Sequence, residues 1–160
     1  MTVLPEDLDP WLDGVIRTHM PQAEPASVST VTAVTTLLAQ VAFADGRYTD
    51  EERARVEQEL SLVLGMEARD VEAVCAALGE DIARLSALPI EPATAVLRAR
   101  FDPHMCADAV KVLIELAGAD RDFSPAEVKR VRAVATQLAV PTELVEALLT
   151  RAHQLAGDEG

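Results

Sequence analysis

Two short stretches of this sequence place carboxylates at one spacing. Ala44-Asp45-Gly46-Arg47-Tyr48-Thr49-Asp50-Glu51-Glu52 and Ala119-Asp120-Arg121-Asp122-Phe123-Ser124-Pro125-Ala126-Glu127 share the pattern Ala-Asp-x-x-aromatic-(Thr/Ser)-x-x-Glu. In each, an Asp ends one helical pattern and a Glu stands in the first turn of the next. A tight corner of this kind gathers oxygens, and hard cations take carboxylate and carbonyl oxygens. The candidate metal ligands are Asp45, Glu52, Asp120, Asp122 and Glu127, with loop carbonyls and water completing the shell. The candidate ion is a divalent cation: Ca²⁺, Mg²⁺ or Zn²⁺. A carboxylate at a helix C-terminus opposes the helix dipole. A local rule broken twice at equivalent places invites a functional reason.

The same residues have a purely structural use. Thr49-x-x-Glu52 and Ser124-x-x-Glu127 are capping boxes, in which the hydroxyl accepts the N3 amide and the Glu reaches back to the cap amide. Asp45 and Asp120 can accept loop amides and so fasten each corner. The spacing leaves both readings open. They are compatible, since a capping carboxylate retains a second oxygen.

Other chemistry has less support. An EF-hand fails because Pro125 stands where Gly is needed and Val131 where the twelfth-position Glu is needed. His104 and Cys106 are two apart and point away from each other on a helix, and no second Cys-His cluster completes a zinc site. Cys75 sits on an apolar stripe and reads as core. The chain contains no Gly-rich phosphate loop, no His-Glu-x-x-His pair and no nucleophile elbow. The expectation is a protein without enzymatic activity.

The elements that must position the acidic corners repeat as well. Val34, Leu37, Leu38, Val41 and Ala42 form one helical stripe, and Ala109, Val112, Leu113, Leu116 and Ala117 repeat it at an offset of 75. Val56, Leu60, Val63 and Leu64 match Val131, Ala135, Leu138 and Ala139. A third stripe, Val71, Val74, Cys75 and Leu78, matches Val145, Leu148, Leu149 and Ala152 at an offset of 74, so one residue slips in between. Asp102-Pro103 is an N-cap followed by Pro at the first helical position. Ser27 or Ser29 can start the matching helix. Gly65 and Gly79 suit helix exits. Glu80 to Leu88 and Pro92 to Arg100 read as short helices, and Asp9-Pro10-Trp11 opens another.

The expected fold is therefore all-α. It is a single globular bundle of two pseudo-symmetric three-helix repeats, about 27–78 and 103–155, plus short connecting helices. Residues 1–26 form an N-terminal helix and linker, 27–156 the helical domain, and 157–160 a tail.

Composition limits the partners. Twenty-seven acidic and 14 basic side chains give a net charge of −13 on 160 residues, and only five residues are aromatic. Nucleic acid and anionic membranes are disfavoured, because binding there needs clustered Lys and Arg. The N-terminus lacks a basic and an apolar signal region. The longest apolar stretch, Val31 to Ala44, is broken by Thr32, Thr35, Thr36 and Gln40, so no membrane insertion is expected. Two cysteines make no disulfide framework. A cytoplasmic location is expected. An acidic, Leu/Val-lined surface also suits a basic protein partner or self-association, in which case the corners serve structure alone.

The repeated phrase resembles the TerB (tellurite-resistance) family and the related N-terminal domain of some membrane-anchored J-domain co-chaperones. The resemblance covers about residues 27–153. It implies an all-α fold with internal duplication, acidic metal-binding sites and roles in bacterial responses to toxic oxyanions and other stress. It implies no enzymatic activity. Arg121 departs from the pattern, which prefers Gly there.

Overall fold

Proline in the first turn and a short polar residue before it open several of the helices, as local chemistry dictates. The computed structural model describes residues 8–62, 65–119 and 123–158, with side chains to residue 155. In it, α1 spans Pro10–His19, α2 Pro25–Ala42, α3 Asp50–Leu62 and α4 Ala68–Ser86. Then come α5 Glu91–Arg100, α6 Pro103–Ala117, α7 Pro125–Gln137 and α8 Thr142–Asp158. Among the described residues there is no strand, so the bundle is all-α as the periodicity predicts.

Asp9 accepts the Leu12 amide at 2.9 Å and Asp102 the Met105 amide at 2.8 Å, each capping a helix that begins with Pro. The start expected at Ser27 or Ser29 is corrected: α2 begins at Pro25, without a side-chain cap. The fixed φ of Pro25 sets the start, and Ser29 donates back to the Pro25 carbonyl at 3.0 Å.

The exit expected at Gly79 falls two residues later: α4 is two helical segments joined across a kink at Asp81 (φ −126°, ψ 16°), and the second segment is the short helix expected from residue 80. Leu78, Ile82 and Leu85 are buried on both sides of the kink. Gly65 has φ +68°, the left-handed conformation that suits a helix exit, while Val63 and Leu64 of the second stripe lie outside the described residues. Ala139 has the matching role after α7, at φ +58°. It is exposed, so the second stripe stops at the buried Leu138. The exit bonds differ in length: the Met66 amide reaches back to Leu60, but the Val140 amide to Ala135. The first exit loop is one residue longer, which is where the offset slips from 75 to 74.

Helix α2 is the centre of the bundle. It packs against α1, α3, α4, α5, α6 and α7, while α6 packs on α7, α8 and α3. Leu37, Leu38, Val41, Leu60, Leu78, Leu97, Ile114 and Leu116 are buried together. By length and apolar content α2 is the one helix among the described residues that can cross a membrane, and 72% of that stretch is buried inside the fold. A helix buried on most sides needs this composition without any bilayer.

Charged contacts join the layers. Arg55 on α3 makes an ion pair with Glu115 on α6. Arg84 on α4 donates to both oxygens of Asp9, at 2.6 and 3.0 Å, and to Asp81 at 2.6 Å, with its guanidinium 5.6 Å from the Trp11 ring centre. The Arg84 hydrogen bonds hold the Asp9 carboxyl below the usual carboxylate range, against its partial burial. A depressed carboxylate stabilises the fold above its unfolded pKa, and that contribution disappears as pH falls through the folded value. Arg84→Ala is expected to cost about 1 kcal/mol at pH 7, given solvent screening of the half-exposed guanidinium. Urea midpoints should show this difference shrinking at pH 3, and an equal difference at both pH values would remove Asp9 from the account.

Candidate functional site

Helix α2 ends at the C-cap Phe43, and the corner turns through Gly46 at φ +81°. Asp45 Oδ1 accepts the Arg47 amide at 3.0 Å, and Oδ2 lies 3.5 Å from the Arg47 guanidinium. The Asp thus closes its own loop, the Asx-turn role open to it from the sequence. Thr49 and Glu52 form the expected capping box. The Glu52 amide donates to the Thr49 hydroxyl at 3.1 Å, and Glu52 Oε1 accepts the Thr49 amide at 2.9 Å.

The second corner follows the C-cap Gly118 of α6. Its candidate ligands Asp120 and Asp122 lie outside the described residues. The far side is a capping box: Ser124 Oγ accepts the Glu127 amide at 3.1 Å, and Glu127 Oε1 accepts the Ser124 amide at 3.3 Å. The Phe123 ring occupies the space a Cβ on residue 118 would need, so a larger residue there would displace the ring. It also stacks against His153, with centroids 4.4 Å apart.

The two capping glutamates meet. Glu52 and Glu127 are each 1% exposed, and their carboxyl groups interact directly across the bundle. A proton on one of two neighbouring carboxyls relieves the repulsion between them. Burial pushes the Glu127 carboxyl up to about 8; the neighbouring Glu52 adds to the rise, and the Ser124 hydrogen bonds oppose it. Two buried acids therefore share a site that cannot hold two negative charges without compensation.

Spacing along the chain groups Asp45 with Glu52 and Asp120 with Glu127. The described structure also brings Glu52 close to Glu127. The sequence signal for this meeting is periodic. Glu52 precedes Val56 and Leu60 at four-residue steps, and Glu127 precedes Val131 and Ala135 likewise, so both acids lie on buried stripes. Among the described residues no three His, Cys, Asp or Glu side chains converge.

Glu52 and Glu127 fit a cation in one respect. Glu127 Oε2 is buried and has no hydrogen-bond partner among the described residues, while Oε1 is used by the cap. A proton or a metal ion can supply the positive charge this pair needs, and carboxylate oxygens suit a hard divalent ion. Elsewhere, His104 is exposed beside Asp108 at 3.5 Å, and Cys106 is buried, so the two side chains diverge. Cys75 is fully buried in the core.

A family model described as tellurite resistance protein TerB matches residues 31–150, which include both corners. No curated protein and no solved structure matches the chain.

Proposed function

The chain belongs to the TerB family, and from that membership we propose that it binds a divalent cation where its two acidic corners meet. The observation that supports this is the buried Glu52–Glu127 pair, with an unbonded Glu127 oxygen beside a second carboxyl. Ca²⁺, Mg²⁺ and Zn²⁺ are the ions to test. Asp45, Asp120 and Asp122 remain the additional ligands in this reading, supplied from the corner loops.

The protein acts in the cytoplasm, without enzymatic activity, in the bacterial response to toxic oxyanions or other stress. A pair of acids attracts cations and repels oxyanions, so its contribution to oxyanion resistance runs through a bound cation or a partner. The second reading is a protein-interaction or self-association module with structural corners. It draws on the capping bonds already made by Asp45, Glu52 and Glu127.

Thermal melts in EDTA and in each ion separate the two. A cation at 100 times its dissociation constant should stabilise the fold by about 2.7 kcal/mol. That gain should vanish in Glu127→Gln, which keeps a capping oxygen but loses the charge. Coincident melts in EDTA and in all three ions would sink the cation reading and leave the interaction module.

A further inference from the structure

A third buried carboxyl lies away from the corners. Glu59 occupies the α3 position that corresponds to Val134 in α7, on the buried stripe with Val56 and Leu60. A carboxyl where the repeat has a core valine breaks the apolar pattern, and burial raises its pKa. Its side chain is nine-tenths buried. Oε1 lies 3.5 Å from Arg55 Nε, too long for a good hydrogen bond, and Oε2 has no hydrogen-bond partner among the described residues. Arg55 is also engaged with Glu115.

Glu59 lines a cavity of about 210 Å³ between α2, α5 and α6. The inner walls are Leu37, Leu38, Leu97 and Leu113, all buried in the core. Met105, 43% exposed, and the exposed Asp108 lie towards solvent. The titratable groups of the lining are Glu59 and Asp108, both acids. An apolar cavity of roughly 150 Å³ is enough to hold benzene, so this one accommodates a body of about eight non-hydrogen atoms.

We propose that this cavity binds a small amine with an apolar alkyl or aryl body, its ammonium group held by Glu59. The apolar walls take the body without a desolvation cost. The ammonium supplies a donor to Glu59 Oε2, which the Arg55 ion pair to Oε1 leaves without one, and the acids of the lining reject a carboxylate ligand. The proposal is independent of the Glu52–Glu127 pair and of any metal.

The test uses three probes of one chain length, hexylamine, hexanol and hexanoate, titrated into the intact protein in EDTA and followed by amide chemical shifts. Hexylamine should bind about tenfold tighter than hexanol, the gain of a buried charge-assisted hydrogen bond, and hexanoate more weakly than either. Glu59→Gln should bring hexylamine to the level of hexanol. Val112→Trp, which fills the cavity, should abolish binding of both. Equal affinities for amine and alcohol, preference for hexanoate, or amine binding unchanged in Glu59→Gln would each overturn the proposal. If Val112→Trp does not fold, the Glu59→Gln and three-probe comparisons still decide the matter.

Discussion

In EDTA, the protein should lose stability as the pH rises from 5 to 8, and Glu127→Gln should remove most of that loss. The Glu127 carboxyl has an ordinary value near 4.5 and is pushed up to about 8 in the fold, first by burial and then by Glu52. A raised carboxyl means that the folded state binds the proton more tightly than the unfolded chain. Its stabilising contribution is complete below about 4.5, falls as pH rises, and is gone above about 8. A tenfold difference in proton affinity between the folded and unfolded chain is worth about 1.4 kcal/mol, so the fall across this window is expected to exceed that amount. The proton belongs to the Glu52–Glu127 pair, and Glu52→Gln should flatten the same profile. Gln at 127 keeps an oxygen for the Ser124 amide and brings a donor for Glu52. Urea midpoints at four pH values provide the measurement, and parallel profiles for wild type and Glu127→Gln would refute the shared buried proton. A divalent cation competes with that proton, so its stabilising effect should be larger at pH 8 than at pH 5.

Gln40→Leu should cost about 2 kcal/mol, although Leu fills nearly the same volume in an apolar core. Gln40 is fully buried on α2, and its Nε2 donates to the carbonyls of Leu85 and Leu88 at 3.2 and 2.9 Å. The Leu85 carbonyl also accepts the Leu88 amide at 3.2 Å, whereas the Leu88 carbonyl, just past the end of α4, accepts from Gln40. Leucine therefore strands the Leu88 acceptor, at about 1–3 kcal/mol, and weakens the bonding of Leu85. The Gln40 Oε1 has no partner among the described residues, so its removal returns part of that cost. Chemical denaturation of the single variant tests this. A change below about 0.5 kcal/mol, the usual surface effect, would show that the α4 carbonyls do not depend on Gln40.

Gln40 also shows what a repeat conceals. Its counterpart at an offset of 75 is Glu115. Gln40 lies at the bundle centre, and Glu115 is half-buried and ion-paired to Arg55. The same divergence separates Glu59 from Val134 and Phe43 from Gly118. Positions at one sequence offset have different neighbours, since α1 and α5 pack against α2. From the sequence alone, Gln40 is only an interruption of an apolar run. Nothing within four residues of it identifies its partners, which are more than 40 positions away.

The corners divide along the same line. Both capping boxes, the Pro-initiated helices, the Gly65 exit and the all-α class are legible in the sequence. Each rests on bonds within about one helical turn, or on a periodicity intrinsic to the chain. The Ser27/Ser29 start does not occur, because Pro25 outweighs that weaker local signal, and the exit expected at Gly79 is displaced to the kink at Asp81. The meeting of Glu52 with Glu127 and the seating of Glu59 in an apolar cavity are decided by tertiary structure alone. Local spacing places a carboxylate on a helix face. Only the packing of that face against distant elements removes its water and selects its neighbour, and burial and charge coupling arise from those two events.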